Sequence, residues 1–401
     1  MNPIHTPTNA INAVAHSDPY PYYATLLAGP RLAFDEELRL WVAGRAAVVA
    51  EVLSNPHCRV RPAAEPVPNA LVGSAAGEIF GHLARMNDGR ETHERPKMTL
   101  RRALGAVDLN AVHERAREIA ATLAATHDVH RTGALSSWMF ELPTFVVADL
   151  IGCGAAELPQ VAAWTAHFVA CLSPLSTPGH TALSNDAARA LLHSFRVLMR
   201  ATPTPRGSLL DRVKQEAAAV GWDNAPALLA NLVGLLSQTY EATAGLIGNS
   251  IVALVTQPDL QEAMRAAPQR VASMVQEVGR FDPPVQNTRR FVAHSTSVAG
   301  VELPAGETIL LVLAAANRDP AANVRPDEFL LDRAHRRTFG FGYGAHECPG
   351  QALACTIATA AIQELLRLSS SQQMGRWTWT YRPSVNGRIP LFTNPAGTTR
   401  G

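Results

Sequence analysis

The sequence predicts a mainly α-helical fold with a small β region, and three features of its pattern carry that expectation. Apolar residues recur at helical spacing along most of the chain. One stretch, Ala227–Gln257, contains no proline and is bounded by Pro226 and Pro258. Runs rich in β-branched residues are confined mainly to the C-terminal half.

In chain order, helical periodicity is clearest over Ala47–Leu53, Leu109–Thr126, Met139–Ile151, Gln160–Leu172 and Ala187–Met199. Prolines punctuate these helices at Pro62, Pro66 and Pro68, at Pro174 and Pro178, and at Pro203 and Pro205. Leu172–Ser184, rich in Pro, Ser and Gly, reads as a mobile lid. Ala227–Gln257 reads as one long helix, with Asp223 and Asn224 as cap candidates. Strands are expected over Arg290–Ala293, Ser297–Leu303 and Thr308–Ala314, with a turn at Pro304-Ala305-Gly306 and the β region ending before residue 320. A last helix is expected over Gln351–Leu366. No internal repeat or low-complexity linker interrupts the pattern, so residues 1–401 are expected to form a single domain.

Composition narrows the function classes. With 47% hydrophobic and 17% charged residues the chain can bury a sizeable core. The 35 basic residues against 34 acidic leave a net charge of +1, which removes the electrostatic case for nucleic acid or an anionic membrane surface. The five cysteines show no paired spacing, and an odd count argues against a secreted disulfide framework. The N-terminal residues carry no basic segment followed by an apolar run, and the apolar stretch from Ala227 includes Asn231, Gln238, Glu241 and Asn249. The expectation is a soluble cytoplasmic protein with no nucleic-acid or membrane partner.

Chemistry concentrates at residues 339–354, FGFGYGAHECPGQALA. Phe341, Gly342, Gly344, His346, Cys348 and Gly350 form F-G-x-G-x-H-x-C-x-G ahead of the last helix. Glycines there allow close backbone approach and positive φ. A thiolate at Cys348 gains from backbone N–H donors and from the helix N-terminus, and a soft thiolate in such a loop suits iron. The bland reading is a buried structural cysteine.

This segment resembles the haem-binding loop of the cytochrome P450 family, and the resemblance extends over essentially the whole chain. Glu277-Val278-Gly279-Arg280 matches the family's E-x-x-R, Phe329–Arg333 the segment whose arginine completes a Glu–Arg–Arg cluster, and Asn317-Arg318-Asp319-Pro320 a run typical of soluble bacterial members. SDPYPYYATL at residues 17–26 is similar to their N-terminal opening. The resemblance implies a P450 fold holding haem b (iron protoporphyrin IX), with Cys348 as the axial metal ligand. It implies His93, Lys97, Arg290 and His346 as propionate contacts, because two carboxylates in a partly buried site need cationic or N–H partners. For His93 and Lys97 a solvated helix face is the alternative. A further family histidine is replaced by Thr338. Pro349, next to the ligand, has no N–H and so removes one donor to sulfur, or serves the chain's conformation alone.

The long helix departs from the family pattern. Where A/G-G-x-D/E-T-T is usual, this chain has Gln238-Thr239-Tyr240-Glu241-Ala242-Thr243. The acid is present as Glu241, but the first threonine is Ala242. Proton delivery is then expected to rely on Glu241 with Thr239, Thr243, Gln238, water or a substrate hydroxyl. Gln238 and Thr239 either bind a polar substrate group or satisfy backbone carbonyls.

Pocket walls are expected from residues 59–80, 165–190, the long helix and Pro284–Thr288. Six basic residues against three acidic between Arg85 and Arg102, with Arg333, Arg336 and Arg337, are expected either to line a ferredoxin-docking face or to be a solvated surface. The implied activity is monooxygenation of a small organic, natural-product-type substrate with O2 and ferredoxin-type electrons. The alternative is a non-hydroxylating oxidation such as desaturation, ring formation, coupling, N-oxidation or peroxide-driven chemistry. A haem-binding sensor is the non-enzymatic alternative.

Overall fold

The computed structural model describes residues 6–393 except 63, 132, 173–174 and 202–206. Ala225–Thr256 forms a single helix with most of its side chains buried. Asn224 caps it, its side-chain oxygen accepting from the Ala227 N–H at 3.0 Å, and Pro226 fits the first turn, where no N–H is needed. Pro258 cannot continue the hydrogen-bond ladder and instead opens the next helix, Pro258–Ala266. Helices Ala134–Ile151, Gln351–Leu368, Val271–Phe281 and Ala75–His82 pack around the long helix. At Gly248 a Cβ would stand 2.7 Å from Met139 Sδ and 2.6 Å from Pro390 Cγ, so the close approach of these elements requires a residue with no side chain.

Leu109–Thr126 is a helix with the bounds its periodicity predicts, capped by Asp108. Ala46–Ser54 and Leu158–Ala170 lie within two residues of their expected limits. Two helices start earlier than expected. Ala134–Ile151 begins five residues upstream, and Pro178–Arg200 takes in most of the segment read as a lid. Thr177 explains the second case: its hydroxyl accepts from the His180 N–H at 3.3 Å while His180 Nδ1 accepts from the Thr177 N–H at 3.2 Å, closing a capping box ahead of Pro178. Residues 178–184 are therefore helical, where the sequence reads as loop, and residues 173–174, like Pro203 and Pro205, lie outside the described residues.

The β region is larger than expected. Strands Ala33–Asp35, Leu40–Ala43, Thr308–Val312, Asn287–Val292 and Cys58–Arg59 are adjacent in that order in one sheet, with Leu40–Ala43 parallel to Thr308–Val312 and the other pairs antiparallel. The N-terminal strands are too short for alternation to reveal them. Ser297–Leu303 is a hairpin, Thr296–Val298 with Val301–Leu303, turning at Ala299 and Gly300 with φ of 53° and 87°. A further hairpin, Thr378–Tyr381 with Pro390–Thr393, follows residue 320, where no strand was expected. The third predicted run, Thr308–Ala314, is strand only to Val312, and Leu313–Asn317 is helix. Helix Ala134–Ile151 is long and apolar enough to cross a membrane, but 61% of it is buried inside the fold, which accounts for its apolarity.

Candidate active site

The cysteine loop folds back on itself through one short bond, from the Cys348 N–H to the Phe341 carbonyl at 2.7 Å. Gly342 makes this return possible. Its φ is +77°, and a Cβ there would lie 2.7 Å from the His346 carbonyl oxygen. The loop runs into helix Gln351–Leu368, and the Gly350 N–H points at Cys348 Sγ. That donor stands one residue beyond Pro349, which cannot donate. Solvent reaches Cys348, yet protein surrounds it on most sides, so the thiol opens into a hollow and not onto the outer surface. This desolvation raises the thiol pKa; the Gly350 N–H and the charge of Lys97 act in the opposite direction.

His93 and Lys97 lie where a π-helical turn, Arg90–Glu94, leads into helix Arg95–Gly105. Neither is a solvated face. The Lys97 ammonium donates to the carbonyl oxygens of Ala345, at 3.1 Å, and Glu347. His93 is buried, with Nδ1 2.8 Å from the Ala84 carbonyl and Nε2 3.1 Å from that of Ala345. A neutral ring donates to only one of the two. The His346 ring lies 4.0 Å from that of His93, and its Nε2 is 3.2 Å from Asp88 Oδ1. Arg290 is 5% exposed on strand Asn287–Val292, bonded to the Arg289 carbonyl and the Thr288 hydroxyl, with no carboxylate at ion-pair distance among the described residues. Thr338, in place of the expected histidine, ties the loop to the Gly279 carbonyl at 3.2 Å. A thiol donor beside Arg290, Lys97 and two imidazoles fits a dianionic iron macrocycle: the sulfur suits the metal, and a buried guanidinium without a carboxylate suits a propionate.

On the long helix, Gln238, Thr239, Glu241 and Ala242 are solvent-reachable, whereas Asn231–Gly234 and Thr243–Ile251 are buried. Helical geometry puts these four on one side, with Thr243 at its margin. The Gln238 amide donates to the Gly234 carbonyl at 2.8 Å, so backbone satisfaction holds for this residue. Thr239 supplies the alcohol on the open side. Glu241 is ion-paired with Arg382, a partner from beyond the sheet region that no sequence spacing announced.

The charge cluster expected around Glu277 is present and has one more member. Glu277 and Arg280 are fully buried, with Arg280 Nη2 2.7 Å from Glu277 Oε1. Arg333 Nε approaches at 3.2 Å, and Arg336 Nε reaches the other oxygen at 2.9 Å. Burial alone would raise the Glu277 pKa, but hydrogen bonds from Arg280 and Arg336 and the Leu330 N–H hold it below the usual carboxylate range. Arg333 and Arg336 are thus committed to this cluster and do not belong to a docking face.

Comparison with known proteins agrees with this geometry. The family model for cytochrome P450 matches residues 225–374. Cytochrome P450 144 of Mycobacterium tuberculosis is 34% identical over 241 residues, which are 59% of this chain and 55% of that protein, so the chain spans little more than half the length of that relative. Vitamin D(3) 25-hydroxylase of Pseudonocardia autotrophica is 31% identical over 324 residues, 76% of each protein. Among solved structures, the crystal structure of CalO2 superposes with a TM-score of 0.81 at 23% identity, covering 98% of this chain and 99% of that one. The long helix, the buried Glu277 cluster and the loop carrying Cys348 all lie within or beside the matched region, and the chain belongs to the cytochrome P450 family.

Proposed function

We propose that this protein is a cytoplasmic haem-thiolate monooxygenase, residues 1–401 acting as one domain. It inserts one oxygen atom from O2 into a small organic, natural-product-type substrate with electrons from a ferredoxin-type donor. The observation that carries this reading is the Cys348 thiol, set in a self-bonded glycine loop and opening into a cation-lined hollow. Similarity to a 25-hydroxylase supports hydroxylation of an organic scaffold. Haem b, when bound, supplies the iron at which O2 is reduced.

Cys348 Sγ would ligate the iron, its thiolate favoured by the Gly350 N–H and Lys97 against the desolvation of the site. Arg290 takes a propionate through its unpaired guanidinium, with His346 beside it. His93, beside the Ala345 carbonyl, and Lys97, bonded to the Ala345 and Glu347 carbonyls, hold the loop, and Lys97 adds its ammonium charge to the same edge. Glu241 handles the proton at Oε1. Because Arg382 holds that carboxylate, delivery inward requires exchange of the guanidinium for water or for the Thr239 hydroxyl. With Arg333 and Arg336 committed elsewhere and Arg102 paired with Glu216, exposed Arg85, Arg90, Arg101 and Arg337 are the cations left for an acidic electron donor.

A second reading, a non-hydroxylating oxidation, is favoured by Ala242, which puts no hydroxyl where the family's relay alcohol stands.

The test is spectroscopic. Reduced, haem-loaded protein under CO should show the red-shifted Soret band of thiolate ligation, and Cys348→Ala should abolish it. Retention of the band in that variant rules out Cys348 as the ligand.

A further inference from the structure

A cavity of about 630 Å³ lies between Arg61, residues 66–73 and helix Ala75–His82. Segment and helix meet at Gly77, where a Cβ would stand 2.0 Å from the Leu71 carbonyl oxygen, and they part on either side of that contact. Val67 and Val72 give the cavity an apolar wall. Arg61 lines it too and is only 9% exposed. Its guanidinium is fixed in place. Nε donates to the Met86 carbonyl, Nη2 donates to the Phe80 carbonyl at 3.2 Å, and the guanidinium carbon lies 4.9 Å from the centre of the Phe80 ring. These two bonds use two of its five N–H groups, and the other three meet no protein acceptor among the described residues. No carboxylate of the described residues pairs with it either. Asp88 accepts from the Val60 N–H at 3.1 Å and stands 3.2 Å from His346 Nε2 instead. Glu78, an acid on the cavity wall, is exposed and forms no ion pair with Arg61.

A guanidinium this deeply buried carries a desolvation cost that carbonyl dipoles offset only in part, and an anion offsets it best. The cavity has the volume of a small-molecule site, and its apolar wall with few polar groups suits an organic ligand. We infer that this cavity binds an organic carboxylate, with the acid group on Arg61 and the apolar body against Val67 and Val72. The N–H groups left over include both on Nη1 and one on Nη2, so a carboxylate can take one from each nitrogen in the planar two-bond arrangement. The site stands apart from the haem hollow. None of the residues lining it belongs to the cysteine loop, the long helix or strand Asn287–Val292. It therefore goes beyond the proposed oxidation and does not depend on it.

The experiment titrates haem-loaded protein calorimetrically with octanoate and with octanamide, each with and without 4-phenylimidazole filling the hollow at the iron. Wild type should bind octanoate about tenfold or more tighter than octanamide, whether or not the imidazole is present. Arg61→Gln should remove that preference, leaving octanamide binding and the reduced-CO band unchanged, and Arg61→Lys should retain part of it. Gly81→Leu probes the cavity without touching the arginine. A Cβ there meets Val67 Cγ2 at an ordinary 3.4 Å, so the added side chain enters the cavity and should weaken acid and amide alike by about tenfold or more. Equal binding of acid and amide, binding of neither, or loss of octanoate binding under 4-phenylimidazole overturns the inference. So does an Arg61→Gln protein that keeps the preference. If Arg61→Gln fails to fold, Gly81→Leu decides: full octanoate affinity overturns the inference, and lost binding at an unchanged melting temperature upholds it.

Discussion

Two glutamates in this molecule are paired with arginine, and the two sites are built in opposite ways. Around Glu277 three arginines converge on one carboxylate that is wholly out of solvent, and Arg280 also donates to the Pro326 carbonyl at 2.7 Å and the Glu328 carbonyl at 3.0 Å. The N–H donors of the cluster end on fixed acceptors of neighbouring loops, which ties helix Val271–Phe281 to the segment leading into the cysteine loop. Around Glu241 the pair with Arg382 is about one-third exposed on each side. The same residue types make a buried lock in one place and a half-exposed, exchangeable pair in the other.

The largest effect should come from breaking the lock. Removing one member of a buried charge network strands the others, typically at about 3–5 kcal/mol. Glu277→Ala should give little soluble, haem-loaded protein, measured as yield and haem content; normal values for both would show that the cluster is dispensable. The same carboxylate predicts an acid limit. Its folded pKa lies below the unfolded value of about 4.3, so its contribution is complete above that value and disappears as pH falls through the folded pKa. The melting temperature, followed downward from about pH 6, should decline below about pH 4, and a flat profile would contradict this.

Loosening the open site should affect chemistry and spare the fold. Glu241→Gln should lower product formation about 10²–10⁴-fold, with substrate binding by spin-state shift little changed. Full activity of that variant would make Glu241 structural. Ala242→Thr should not improve product formed per electron consumed if the path runs, as proposed, through Glu241 and Thr239; a sharp improvement would mean that the native helix simply lacks its relay alcohol.

The smallest effect sharpens the contrast from outside. Arg102 and Glu216 form a 3.7 Å surface pair, the arginine about half and the glutamate about one-third exposed. Arg102→Gln should change stability by less than about 1 kcal/mol in thermal or denaturant unfolding. A loss as large as that of Glu277→Ala would mean that burial does not separate the two kinds of pair.

By itself the sequence determined whatever depends on local spacing. The capped and proline-bounded long helix, the bounds of Leu109–Thr126, the i,i+3 pair Glu277–Arg280 and the glycine pattern around Cys348 are written in contiguous residues, because helix periodicity and backbone φ are local properties. Only the tertiary structure decided which distant charges meet. Arg336 joins Glu277 through the path of an irregular loop, and Arg382 reaches Glu241 across 141 residues. The N-terminal strands, the C-terminal hairpin and the role of Lys97 as a tie to the cysteine loop were hidden for the same reason. A long side chain's partner is set by where two segments are packed, and packing is a property of the whole buried core rather than of any window of sequence.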